Sequence, residues 1–81
     1  RLSVLGAGNT GLCIAADLAL AGHEVLLWEG SAFASAVEPL REQREIRLEG
    51  AWRTGVGRIA AATTDAAEAA AWADVLLCSV P

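Results

Sequence analysis

The sequence predicts an α/β fold, a doubly wound parallel sheet whose first four strands lie within its 81 residues, and three observations carry that prediction. Short apolar runs alternate with alanine-rich segments of helical length. A glycine-rich turn, Gly6-Ala7-Gly8-Asn9-Thr10-Gly11, joins the first run to the first helical segment. An acidic residue, Glu29, closes the second run.

Leu2 to Leu5 is apolar and ends at Gly6, which suits a strand covered on both faces. Thr10 to Ala21 is rich in Ala and Leu, carries its only charge at Asp17, and precedes Gly22. That is a helix followed by the residue that most easily adopts a left-handed C-terminal cap. Glu24 to Glu29 (EVLLWE), bounded by Gly22 and Gly30, is too short for a helix and reads as the second strand. From Ser31 to Arg44, Phe33, Val37 and Leu40 recur at spacings of four and three, the pattern of an amphipathic helix. Pro39 either kinks that helix or restarts it from its own first turn. Residues 46 to 57 alternate apolar and polar, with Gly50, Gly55 and Gly57 as breakers, and read as an extended excursion or irregular hairpin. Arg58 to Ala62 is taken as the third strand, on Ile59 and its place in the alternation. Asp65 caps a helix over Ala66 to Ala73, with Glu68 completing a capping-box pattern. Val75 to Val80 is the fourth strand. Strands alternating with helices imply parallel pairing and right-handed crossovers.

Six arginines, no lysine and ten carboxylates give a net charge of -4. That balance argues against a nucleic-acid surface or a polybasic membrane patch, so no nucleic-acid and no membrane partner is expected. With 54% hydrophobic residues the chain has enough apolar material for a core, which excludes disorder. Its apolar runs are broken by Asp17, Glu24, Asp65, Glu68 and Asp74, and none reaches the ~20 residues a bilayer span requires. No export signal is visible, and a cytoplasmic location is expected. Cys13 and Cys78 stand far apart without a companion Cys or His, so neither a zinc site nor a disulfide framework is indicated and two buried thiols are expected. The chain opens at Arg1 beside a strand and closes at Pro81 after another, and is read as the N-terminal part of a dinucleotide-binding domain whose catalytic domain lies elsewhere.

The glycine turn is a G-x-G-x-x-G motif between a strand and a helix, and each glycine has a task. Gly6 makes the tight turn, Gly8 admits close approach of a pyrophosphate, and Gly11 lets helix and strand pack closely. The backbone N–H groups of Asn9, Thr10 and Gly11 then face the phosphates, with the helix dipole adding a favourable field. Glu29 lies 18 residues after Gly11, where a carboxylate accepts hydrogen bonds from the adenosine ribose. It also repels a 2'-phosphate, and Gly30, Ser31 and Ala32 bring no cation, so NAD is favoured over NADP, with Ser31 and the more distant Arg41 and Arg44 left as candidates to help a phosphate. Together these make a Rossmann-type unit. Trp28, Trp52 and Trp72 read as core or helix-docking residues. His23 reads as a surface residue at the end of the sheet opposite the ligand crevice. Cys78 has no partner base, whereas Ser79 and Pro81 stand at a strand's carboxyl end, where open parallel sheets bind ligands.

VLGAGNTGLCIAADLALAGHEVLLWE, TTDAAEAAAWADV and the terminal VP resemble the N-terminal cofactor domain of the opine dehydrogenases, of octopine and nopaline dehydrogenase type. These are relatives of NAD-dependent glycerol-3-phosphate dehydrogenase and ketopantoate reductase. The resemblance spans nearly the whole chain. It implies that Gly6, Gly8, Asn9, Thr10 and Gly11 hold the pyrophosphate, Glu29 the ribose, and Val80 and Pro81 the middle of the dinucleotide. It also implies reduction of the imine formed by an amino acid and a 2-oxo acid, with the small-molecule substrate held by a separate helical C-terminal domain. The loop departs from the usual opine GAGNGG in having Thr10 for a glycine. Two rivals are an FAD-binding flavoprotein, which usually places another glycine pair soon after the acidic residue, and a non-catalytic NAD-sensing module.

Overall fold

The computed structural model describes residues 1–6, 8–30, 35, 37–48 and 55–78. In chain order the elements are β1 (Leu2–Leu5), α1 (Asn9–Leu20), β2 (Val25–Trp28), α2 (Glu38–Gln43), β3 (Glu45–Leu48), β4 (Gly55–Arg58), β5 (Ala61–Thr63), α3 (Ala66–Trp72) and β6 (Val75–Cys78). Four strands pair in parallel in the order β5-β2-β1-β6, and β3 pairs antiparallel with β4 in a separate ribbon. Counted within the parallel sheet, the order is third, second, first, fourth, that of a Rossmann-type dinucleotide-binding half.

Side-chain alternation explains the layering. Val4 is in register with Leu27, and Leu27 with Ala62, so all three point to one face. There they join Ala15 and Ala16 of α1, Ile46 of β3, and Val37 and Ile59 in one buried cluster. Ser3 points the other way, and its buried hydroxyl donates to the Ala69 carbonyl of α3 at 2.9 Å. That carbonyl is among the last four of its helix, which have no partner within the helix. With α1 on one face and α3 on the other, the sheet is doubly wound.

Small residues set the spacing around α1. Gly11, Ala15 and Ala16 are buried, while Cys13 and Asp17 fall on the opposite, exposed stripe. The helix ends as the glycine signal predicts. Gly22 has φ +98°, its N–H donates to the Ala19 carbonyl, and the His23 N–H donates to Leu18, the paired bonds of a Schellman cap. The β3–β4 ribbon also packs on α1, with Gly57 against Ala16 and Gly55 against Leu20.

Several expectations need correction. The third strand of the sheet is Ala61–Thr63, since Arg58 belongs to β4 and pairs with Glu45. The chain turns through Ile59 and Ala60, whose N–H groups bond to Arg44 and Val25. The second helix spans Glu38–Gln43 with Pro39 in its first turn, the restart that the sequence offered, where a missing N–H does no harm; residues 31–34 and 36 of the expected span lie outside the described residues. Of the two readings of 46 to 57, extended excursion or irregular hairpin, the second holds: Glu45–Leu48 and Gly55–Arg58 pair antiparallel. Both cysteines are exposed, not buried: Cys13 is on the outer stripe of α1, and Cys78 is on β6, which borders the sheet among the described residues, with Val75 and Leu76 also exposed. Trp52, Phe33 and the end of the fourth strand at Ser79 and Val80 lie outside the described residues.

The capping box at Asp65 is also rearranged. Asp65 accepts from the N–H groups of Ala67 and Glu68 as a cap should. Its own N–H donates to the Thr63 hydroxyl at 3.0 Å, and that hydroxyl donates to Glu68 at 3.3 Å. Thr63 thus stands between the two residues that a direct box would join.

Candidate dinucleotide site

Parallel packing brings the carboxyl ends of β1, β2, β5 and β6 to one edge. The strand order reverses at β1, the place where such sheets bind ligands. Gly6 follows β1 there with φ +115°, a conformation that strains any residue with a Cβ. Its N–H donates to the Trp28 carbonyl at 2.7 Å, so the start of the glycine turn is tied to the end of β2, one residue before Glu29.

Gly8 is the N-cap of α1, and its carbonyl accepts the Leu12 N–H at 2.9 Å, the first bond of the helix. Having no side chain, it leaves the first-turn N–H groups without a side-chain cap, and the first turn carries no acidic residue. Among the described residues a Cβ at Gly8 would meet nothing within 4 Å. Glycine is therefore not required there by the protein's own packing. Asn9 and Thr10 lie in that first turn, with Thr10 exposed, and Gly11 is buried on the sheet side of the helix. The three glycines thus differ in environment: Gly6 turns at positive φ, Gly8 is exposed at the helix start and Gly11 is buried.

Glu29 directly follows β2 and is half-buried. Its N–H donates to the Thr63 carbonyl at 3.2 Å, and its Oε1 accepts the Gly30 N–H at 2.9 Å. The carboxylate is thus held at the end of the strand next to the glycine turn. Trp28 points to the α3 side with Thr63, and its buried indole N–H has no hydrogen-bond partner among the described residues. Val80 and Pro81 lie outside the described residues, as does Ala7. His23 is exposed at the far end of α1, away from this edge as expected.

Sequence reasoning passed over two residues. Thr63 was passed over because a strand-end threonine two positions before a helix cap looks like ordinary turn chemistry. Gly57 was read only as a breaker, although it is the contact through which the ribbon reaches α1.

The open helix start, the left-handed Gly6 and the carboxylate at the next strand end fit a dinucleotide: a bare N-terminus for phosphate and an acceptor for ribose hydroxyls. The family of the NAD-dependent glycerol-3-phosphate dehydrogenase N-terminus matches residues 1–81. The chain belongs to that family. Members bind NAD(H), so the cofactor class, the oxidoreductase setting and the doubly wound sheet agree. No curated protein and no solved structure matches the chain significantly. Among the described residues of this family member, no helix is long and apolar enough to cross a membrane, and no cluster of His, Cys, Asp and Glu could hold a metal ion.

Proposed function

We propose that the chain is the NAD(H)-binding part of a dehydrogenase, in which Gly6, Gly8, Asn9, Thr10 and Gly11 receive the pyrophosphate and Glu29 receives the adenosine ribose. The observation that carries this reading is the uncapped N-terminus of α1 at Gly8, with open space in front of it. It lies one strand from a carboxylate fixed by the Gly30 N–H. Bound NADH supplies a hydride, and the chain's own part is to bind and orient. The first-turn N–H groups and the positive end of the helix dipole complement phosphate charge. Glu29 accepts from ribose hydroxyls and disfavours a 2'-phosphate by repulsion and desolvation, which favours NAD over NADP. Val80 and Pro81 complete the reading on family resemblance, at the middle of the dinucleotide.

For the whole protein the reading is reduction of an imine formed from an amino acid and a 2-oxo acid. It is supported by the similarity of VLGAGNTGLCIAADLALAGHEVLLWE and TTDAAEAAAWADV to opine dehydrogenases. The family name favours a second reading, reduction of dihydroxyacetone phosphate to glycerol 3-phosphate. Titration of the full-length chain with NADH, NADPH and FAD, followed by tryptophan fluorescence, tests the cofactor: NADH binds tightest on this account, and preference for FAD contradicts it. NADH oxidation assayed with amino acid and 2-oxo acid pairs, and separately with dihydroxyacetone phosphate, decides between the substrates.

A further inference from the structure

We propose that Thr63 is a positioning residue for the cofactor site: it fixes Glu29, so that the start of α3 governs how the ribose carboxylate is presented. The proposal rests on Glu29 being the ribose acceptor. Thr63 is only 4% exposed and sits in register with Trp28, the residue before Glu29. Its main chain holds the carboxylate residue directly, through the Glu29 N–H bond at 3.2 Å. Its side chain is held from the other side: the hydroxyl accepts the Asp65 N–H at 3.0 Å and donates to Glu68 Oε2 at 3.3 Å. Asp65 in turn caps α3 through the N–H groups of Ala67 and Glu68.

One buried residue therefore links the ligand edge of β2 to the cap of α3, with its hydroxyl used both as donor and as acceptor. Glu29 is the first residue past β2, where the ladder of that strand ends. Its Oε1 is bonded to the adjoining Gly30 N–H, so the carboxylate follows the local main chain, and that main chain is tied to Thr63. Replacing the hydroxyl by a methyl group keeps volume and β-branching. It leaves the Asp65 N–H and the Glu68 carboxylate without this partner and frees the end of β5 to shift.

The test is equilibrium titration of the full-length chain with NADH, in Thr63→Val, Thr63→Ser, Glu68→Ala, Glu29→Ala and the Glu29→Ala/Thr63→Val double variant. Thr63→Val should weaken NADH about 2- to 10-fold, the range that loss of one net hydrogen bond represents. Thr63→Ser should restore wild-type affinity, because the hydroxyl returns. Glu68→Ala, an exposed change with little risk to folding, should act in the same direction as Thr63→Val. In the Glu29→Ala background Thr63→Val should have no further effect, since a residue acting through Glu29 has nothing left to act on. Equal weakening by Thr63→Val in both backgrounds, or unchanged affinity in both Thr63→Val and Glu68→Ala, would overturn the positioning role and leave the Glu29 reading standing. Unchanged affinity in Glu29→Ala would overturn the ribose reading itself, and the Thr63 role with it.

Discussion

Gly57 of β4 lies against the backbone of Ala16 in α1: a Cβ built on Gly57 would stand 2.7 Å from the Ala16 carbonyl oxygen and 2.8 Å from its Cα. Both obstructing atoms are main chain in a helix, so neither can swing aside. Gly57→Ala should therefore destabilise the protein by about 1–3 kcal/mol, the usual effect of overpacking a close contact. Gly55→Ala is the control, because its Cβ would meet only the Leu20 methyl groups at 3.4 Å. Denaturant melts of the two variants check the difference, and equal stability would show that the ribbon does not press on α1 through Gly57.

Gly8 is the opposite case. A Cβ there meets nothing within 4 Å among the described residues, and its φ of -73° suits any residue. Gly8→Ala should lower stability by no more than about 1 kcal/mol, the cost of a poorer N-cap. On the proposed reading, its added methyl group would nevertheless project toward the pyrophosphate. A loss of NADH affinity with a nearly unchanged melt is the expected signature, and unchanged affinity would remove Gly8 from the site.

Ser3 couples β1 to α3. Its hydroxyl, fully buried, donates to one of the orphan carbonyls at the end of α3. Ser3→Ala should cost about 1 kcal/mol by leaving that carbonyl unsatisfied, measured as a lower denaturation midpoint with an unchanged slope. NADH affinity should stay at the wild-type value, because the bond lies away from the ligand edge.

The elements that could be read from sequence are those whose signals are local. The strand expected at Leu2 to Leu5, the strand expected within Glu24 to Glu29 and observed as Val25–Trp28, the helix closed by Gly22 and the cap at Asp65 all appear near where composition and caps place them. The glycine turn could be read because each glycine has a distinct physical task, and Gly6 indeed adopts a positive φ. Long-range contacts could not be read. Nothing local tells that Gly57 meets Ala16, and the alanines of Ala60 to Ala62 carry too weak a strand preference to locate β5. Thr63 was hidden for the same reason, since its importance lies in its register with Trp28 and in its bond to Glu29.

The expectation of buried thiols failed because small apolar character says nothing about which side of α1 faces the sheet. Cys13 and Cys78 are both exposed. Cys13 should react with a thiol reagent in the native protein within minutes, and peptide mapping by mass spectrometry would identify it. Labelling that requires denaturant would contradict the placement of Cys13 on the outer stripe of α1.

The central claim is that a carboxylate at the end of β2 selects and holds the dinucleotide. Paired NADH and NADPH titrations of the wild-type full-length chain and of Glu29→Ala test it most directly. The account predicts that the wild type prefers NADH, that Glu29→Ala weakens NADH by about 10- to 100-fold, as expected for a charge-assisted hydrogen bond, and that the preference over NADPH shrinks. A wild type that prefers NADPH, or a Glu29→Ala variant that keeps both its affinity for NADH and its discrimination, would contradict it.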